Sequence, residues 1–215
     1  MVQAVIFGLI GLFSCFLLEY LSIYATKKKC RVHEIEIEAV KKHGKLRYLL
    51  YFINIVLWIY SGKQFEDLYL AFTIAILFSL AILISMVDLQ IHIIPNEFVL
   101  AMIIIGVAKQ IRYFDLQDLL TAIGCMVGIG ALFLIVGGML GLQKIGAGDV
   151  KLAAAMGFVL GYPAILTALL VMCISVLVYC FIGFSRYRLS MKSMLPYAPF
   201  LMIGMVTSLI INTIA

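Results

Sequence analysis

Charged side chains are spread so unevenly along this chain that they divide it into eight apolar runs. The runs lie near 2–24, 47–61, 68–87, 97–111, 116–140, 149–161, 163–184 and 196–213, and their length and lack of charge predict membrane-crossing helices. Residues 150–184 carry a single charge, Lys151, near their start. As one helix they would reach about 52 Å, whereas the hydrocarbon core of a bilayer is about 30 Å thick. Gly161-Tyr162-Pro163 supplies the break, because proline cannot continue a helical hydrogen-bond ladder. Two shorter spans of about 26 Å each are the better solution. The expected fold is all-α: one polytopic membrane domain over 1–215, with about eight transmembrane helices.

Composition agrees with that pattern. The chain is 65% hydrophobic and 13% charged, with a mean hydropathy of +1.15, against about 45–50% apolar and about 25% charged residues in soluble domains. The opening M-V-Q-A-V lacks a basic segment of the kind that precedes a cleaved signal, so the first run is expected to stay as an anchor. Of the five cysteines, none forms C-x-x-C and four lie inside apolar runs, which argues for reduced packing residues and against zinc or a disulfide framework.

Charge then sets the orientation. Eight of the 16 lysines and arginines fall between Lys27 and Arg47, in the polar segment 25–47. With the N-terminus outside, thirteen basic residues lie in the inner loops and three, Lys63, Lys109 and Arg112, in the outer ones. Glu34, Glu36 and Glu38 interrupt the basic run, so it reads as a cytoplasmic positive-inside loop and not as a nucleic-acid surface. Two crossings separate Asp88 from Asp149, which returns both to the cytoplasmic face.

These two aspartates are the candidate catalytic residues. Asp88 ends the run Leu68–Val87 and opens D-L-Q-I-H-I-I-P-N, in which Pro95-Asn96 favours a turn before the next helix. Asp149 sits in G-A-G-D-V-K, where Gly146 and Gly148 can take backbone conformations closed to other residues and let another chain approach. The helix start and Lys151 both favour an ionised Asp149, and a plain N-cap is the competing role for it. Ionisable groups at membrane depth are costly and tend to be functional. Two carboxylates held close share a proton; one accepts a proton from water while the other polarises a scissile carbonyl. His33, His43 and His92 show no metal-ligand spacing, and no G-x-S-x-G nucleophile motif is present.

D-L-Q-I-H-I-I-P-N resembles the D-x6-P-[DN] element of the bacterial type IV prepilin peptidases, and G-A-G-D-V-K resembles their G-x-G-D-x-K element. L-P-Y-A-P-F-L-M-I-G, Leu195–Gly204, is similar to that family's P-F-G-P-F-L-x-x-G. The resemblance runs from about Leu68 to the end. It implies a membrane aspartic endopeptidase with Asp88 and Asp149 as its dyad and Gly146, Gly148, Lys151, Pro95 and Asn96 as supporting or substrate-binding residues. It further implies that basic leader peptides are cut from type IV prepilin or pseudopilin precursors at the cytoplasmic face of the bacterial inner membrane, among membrane lipid and without nucleic acid. No cofactor is expected for proteolysis. Many members also methylate the new terminus with S-adenosylmethionine. Here G-L-F-S-C-F-L-L-E-Y replaces the usual G-S-F-L-N-V-type stretch, and 25–47 has Cys30 in place of two C-x-x-C pairs, so methylation is not assigned.

A proton-coupled transporter or channel using the same acids is the alternative from another class. It would place carboxylates near the midplane, often within inverted repeats, and neither feature is visible. Presenilin-like proteases share G-x-G-D but usually have a larger chain and other surroundings for the first aspartate. Glu19 is expected to reach toward Lys27–Lys29 or to act with Tyr20 and Tyr24, and Glu97 to suit a helix start. His92 reads as an interfacial spacer or a substrate contact. The glycine series Gly124, Gly128, Gly130, Gly137 and Gly138 is expected to allow close helix packing.

Overall fold

The computed structural model describes residues 2–32, 44–113, 116–140, 146–185 and 196–214. Among them are eight α-helices and no strand: α1 (Val2–Val32), α2 (Gly44–Gln64), α3 (Leu68–Ile91), α4 (Asn96–Tyr113), α5 (Leu116–Leu140), α6 (Ala147–Leu160), α7 (Ala164–Ser185) and α8 (Ala198–Ile214). Each apolar run has become one helix. Four of these are long and apolar enough to cross a membrane: Val2–Arg31, Leu68–Ile91, Leu116–Met139 and Ala164–Gly183; Ala198–Asn212 is a shorter apolar helix. At 14 residues, or about 21 Å, α6 falls short of a bilayer.

One boundary moves substantially. α1 continues to Val32 instead of ending near 24, so the first part of the 25–47 segment is helical, while 33–43 lie outside the described residues. Lysine and arginine are good helix formers, and Lys29 and Arg31 in the last turn complement the negative end of the helix. Hydropathy marks where the lipid would stop, not where the helix does.

The chain forms two compact units, Met1–Ile105 and Gly106–Ala215. In the first, α1, α2 and α3 meet around Phe7, Trp58, Ala71 and Ala75. Phe7 and Trp58 each pack on Phe72 at 5.4 Å between ring centroids. Glycines bring α1 and α2 together: a Cβ on Gly11 would lie 2.8 Å from Trp58 Cβ, and one on Gly62 would lie 2.7 Å from Phe7. A buried polar hub crosses the three helices. Trp58 Nε1 donates to Ser79 Oγ at 2.8 Å, Ser79 Oγ donates to Asn54 Oδ1 at 2.8 Å, and Asn54 Nδ2 donates to Ser14 Oγ at 2.7 Å. α3 is mostly buried, whereas α5 and α7 are mostly exposed, through residues such as Val127, Leu134, Leu177 and Phe181. Apolar helices exposed so widely are suited to lipid.

In the second unit α6 packs against α5, and α8 runs back along α7. The α7–α8 register is fixed at both ends. Ser208 Oγ donates to the Ala164 carbonyl at 2.6 Å, and Tyr179 meets Phe200 at 5.3 Å between ring centroids. The expected break after α6 is present: Gly161 caps the helix at φ +66°, ψ −175°, a region open essentially only to glycine. Gly161→Ala should therefore cost about 1–3 kcal/mol, read as a lower midpoint in thermal or denaturant unfolding.

Four of the five glycines on α5 do not pack closely, contrary to expectation. Cβ atoms at Gly124, Gly128 and Gly138 would meet nothing within 4 Å, and one at Gly130 would make an ordinary contact with Ala154. Close packing falls instead to Gly157 of α6, where a Cβ would lie 2.9 Å from the Cys125 carbonyl oxygen, and to Gly204 of α8, which lies against the Ala168 carbonyl. Spacing along a helix does not say which face is covered.

Candidate active site

Asp88 belongs to the first unit and Asp149 to the second. Asp88, at the end of the apolar run, lies in the last turn of α3, and only 4% of it is exposed. Its carbonyl accepts the His92 N–H at 2.8 Å, which closes the helix, and His92 takes the left-handed conformation at φ +53°. His92 is therefore a helix C-cap, with its side chain exposed. The chain then passes through buried Pro95 to Asn96, the first residue of α4, and the Pro95 carbonyl accepts the Phe98 N–H at 3.1 Å.

Two tethers hold α1 beside this end of α3 and α4. Thr26 Oγ1 and Gln90 Oε1 are 3.1 Å apart, and Lys28 Nζ pairs with Glu97 Oε1 at 2.8 Å. Glu97 thus lies in the first turn of α4 as expected and also binds a lysine from α1. Glu19 does not reach the lysines: its Oε1 takes Arg47 Nη1 of α2 at 3.2 Å, while Tyr20 and Tyr24 stack on each other. A periodic pattern shows that Glu19 is on α1 but not which helix faces it. Arg47, Leu46, Leu50, Met86, Leu89 and Gln90 line a shallow crevice at this end of α2 and α3.

In the second unit Gly146 is the N-cap of α6, and Asp149 is its third residue, not its cap. The Asp149 Oδ2 reaches back to accept the Gly146 N–H at 3.1 Å, the carboxylate half of a capping box. Gly146 uses no special backbone conformation, with φ −69° and ψ 147°, so the expected role for its flexibility is not realised. Its missing side chain matters instead. A Cβ there would lie 3.2 Å from Asp149 Oδ2. Gly148 lies between them in the first turn, and Lys151 is exposed on the same helix.

Burial pushes the Asp149 carboxyl above the usual carboxylate range, and the Gly146 N–H bond pulls it back. Gly146→Ala would crowd the oxygen off that N–H, so the Asp149 pKa is expected to rise further; carbon-detected NMR titration of the carboxyl would measure it.

One neighbour was not singled out by motif reading. Tyr197, two residues into the third motif, immediately precedes α8, and its carbonyl accepts the Phe200 and Leu201 N–H groups at 3.1 Å each. Burial, then the Asp149 charge, then Cys180 hold its phenol above the ordinary tyrosine value. The signal available in the sequence was a tyrosine where the resembled element has phenylalanine. No group of three or more His, Cys, Asp or Glu residues among those described is arranged to hold a metal ion.

Residues 75–181 match the model of the type IV leader peptidase family, and this segment takes in both aspartates and both glycine- or proline-containing motifs. The chain is also similar to the prepilin leader peptidase/N-methyltransferase of Pectobacterium carotovorum subsp. carotovorum, at 29% identity over 142 residues, 64% of this chain. The chain spans about half, 50%, of the length of that curated relative. No solved structure matches.

Proposed function

We propose that this chain, whose residues 75–181 match the type IV leader peptidase family, is a membrane aspartic endopeptidase that removes basic leader peptides from type IV prepilin-like precursors. Asp88 and Asp149 are its acid–base pair. The observation that carries this reading is that the family match covers both acids, each at a helix end, one deep in its unit and the other with a carboxyl raised by burial. The ionised member takes a proton from water, and the neutral member polarises the scissile carbonyl and later protonates the leaving amine. The apparent pKa values belong to the pair, not to either acid alone.

The orientation rests on charge. Counted with every apolar run crossing, thirteen basic residues on one side against three on the other favour an active face toward the cytoplasm of a bacterial inner membrane, and the split is ten to six if the short α6 does not cross. Gly146 leaves room beside Asp149 Oδ2, Pro95-Asn96 directs the chain away from Asp88, and Lys151 and Gly148 flank the second acid. Methyl transfer to the new terminus is not assigned to this chain.

The test is coexpression with a pilin-like precursor followed by sequencing of the precursor's N-terminus. Leader removal just before the apolar helix, without added metal or cofactor, is the expected result. A full-length precursor in the presence of folded, membrane-inserted protein would end the proposal, and a cut within the apolar helix would move the assignment to intramembrane proteolysis.

A further inference from the structure

The α7–α8 pairing has a consequence for Asp149. Ala164 and Thr167, at the start of α7, meet Ser208 near the end of α8, with Thr167 Oγ1 and Ser208 Oγ 2.7 Å apart. Tyr179, near the end of α7, meets Phe200 at the start of α8. α8 is therefore antiparallel to α7, and its first residues return to the end of the unit away from the Gly161–Pro163 turn. α6 ends at that turn and packs against α8, which itself runs toward the turn along α7, so the beginning of α6 lies toward the start of α8. Tyr197 arrives there on a fixed mount: the following residue Ala198 is fully buried, Phe200 and Leu201 are buried, and the Tyr197 carbonyl caps α8. The Asp149 charge is felt at its phenol, which gives independent support for that placement.

Among the described residues the Tyr197 hydroxyl makes no hydrogen bond, and Asp149 Oδ2 is committed to the Gly146 N–H. Tyr197 and Asp149 are both half-buried. From this geometry we infer that Tyr197 is a further catalytic residue, whose phenol O–H donates a hydrogen bond to the oxygen of the scissile carbonyl beside Asp149. The inference rests on the peptidase reading above. In the addition step the water oxygen bonds to the carbonyl carbon, and one water proton passes to the ionised aspartate. The carbonyl π pair moves onto the oxygen, which accepts a hydrogen bond from Tyr197 while the phenol keeps its proton. Collapse of the adduct breaks the C–N bond, and the amine leaves with a proton from the dyad. A phenol that stays protonated through neutral pH is a donor throughout the working range. A donor aimed at the developing oxyanion stabilises the transition state more than the ground state, so it raises kcat with little effect on KM.

The experiment uses the full chain in detergent with a synthetic precursor peptide, comparing wild type, Tyr197→Phe and Asp149→Asn over a range of pH. Tyr197→Phe keeps the ring and removes only the hydroxyl. It is expected to lower kcat about tenfold, the worth of one neutral hydrogen bond, with KM and melting temperature unchanged. Unchanged kcat, or a loss that appears only in KM or follows a fall in melting temperature, overturns the role for Tyr197. Asp149→Asn separates the two levels: an active Asp149→Asn enzyme defeats the peptidase dyad itself, whereas an inactive one beside a fully active Tyr197→Phe defeats only this inference. Should Tyr197→Phe not fold, 3-fluorotyrosine at the same position, with its more acidic phenol, must change the alkaline limb of the pH profile; an unmoved limb rejects the proposal.

Discussion

Asp88→Asn and Asp149→Asn should each cut leader removal by about 10²- to 10⁴-fold, the contribution of a positioned acid–base group. Asparagine is close to isosteric with aspartate, and its carbonyl oxygen can still accept the Gly146 N–H, so the start of α6 survives at position 149. At position 88 the change replaces a buried carboxyl with a neutral amide, which removes an ionisable group and leaves the α3 backbone as it was. Stability is therefore expected to hold while processing disappears. Timed processing of a pilin-like precursor, read by mass spectrometry beside thermal unfolding of each variant, tests both halves. Wild-type rates in either variant would remove that aspartate from the mechanism. The pH dependence has a definite sign. Burial raises the Asp149 carboxyl, so its protonated form persists to higher pH than for an exposed aspartate. The acidic limb of the activity profile is expected above the ordinary carboxylate range, and Asp149→Asn must abolish that limb together with the activity.

Gly204→Ala should have a large structural effect. The added methyl would run into the Ala168 carbonyl, which is backbone and cannot turn aside. α7 and α8 would have to separate at the place where the third motif ends, at a cost of about 1–3 kcal/mol for overpacking. For a chain of this size that corresponds to a fall of roughly 2–4 °C per kcal/mol in melting temperature. Gly128→Ala is the matched control, because a Cβ there meets open space and alanine is the better helix former. Circular dichroism in one detergent should show Gly204→Ala melting well below wild type and Gly128→Ala at or slightly above it. Equal melting of the two variants would contradict the α7–α8 packing.

Helix existence was legible because it depends on a local property. A charge-poor apolar run became a helix in all eight places, and the Gly161–Pro163 break lies where the length argument required it. The end of α1 was not legible from hydropathy, because lysines that would leave the lipid still prefer helical backbone. The site divides along the same line. Both aspartates could be chosen from motif context, and each does stand at the end of a helix. Whether Asp149 caps α6 or reaches back from its third position depends on a one-residue choice of helix start, which propensity does not fix. Glu19 pairing with Arg47, Gly157 pressing on Cys125 and Tyr197 arriving beside Asp149 are tertiary facts. They require knowing which faces meet, and helical periodicity alone does not carry that information.

The amide of Asn54 gives the first unit a particular order of assembly. Its nitrogen can be satisfied by Ser14 as soon as α1 and α2 lie together, but its oxygen waits for the hydroxyl of Ser79, which arrives only with α3. In a hydrocarbon medium no solvent stands in for the absent donor. An early two-helix hairpin would thus retain an unfilled acceptor that recruits the third segment. Once recruited, that segment could not drift away without exposing the amide and the Trp58 indole together.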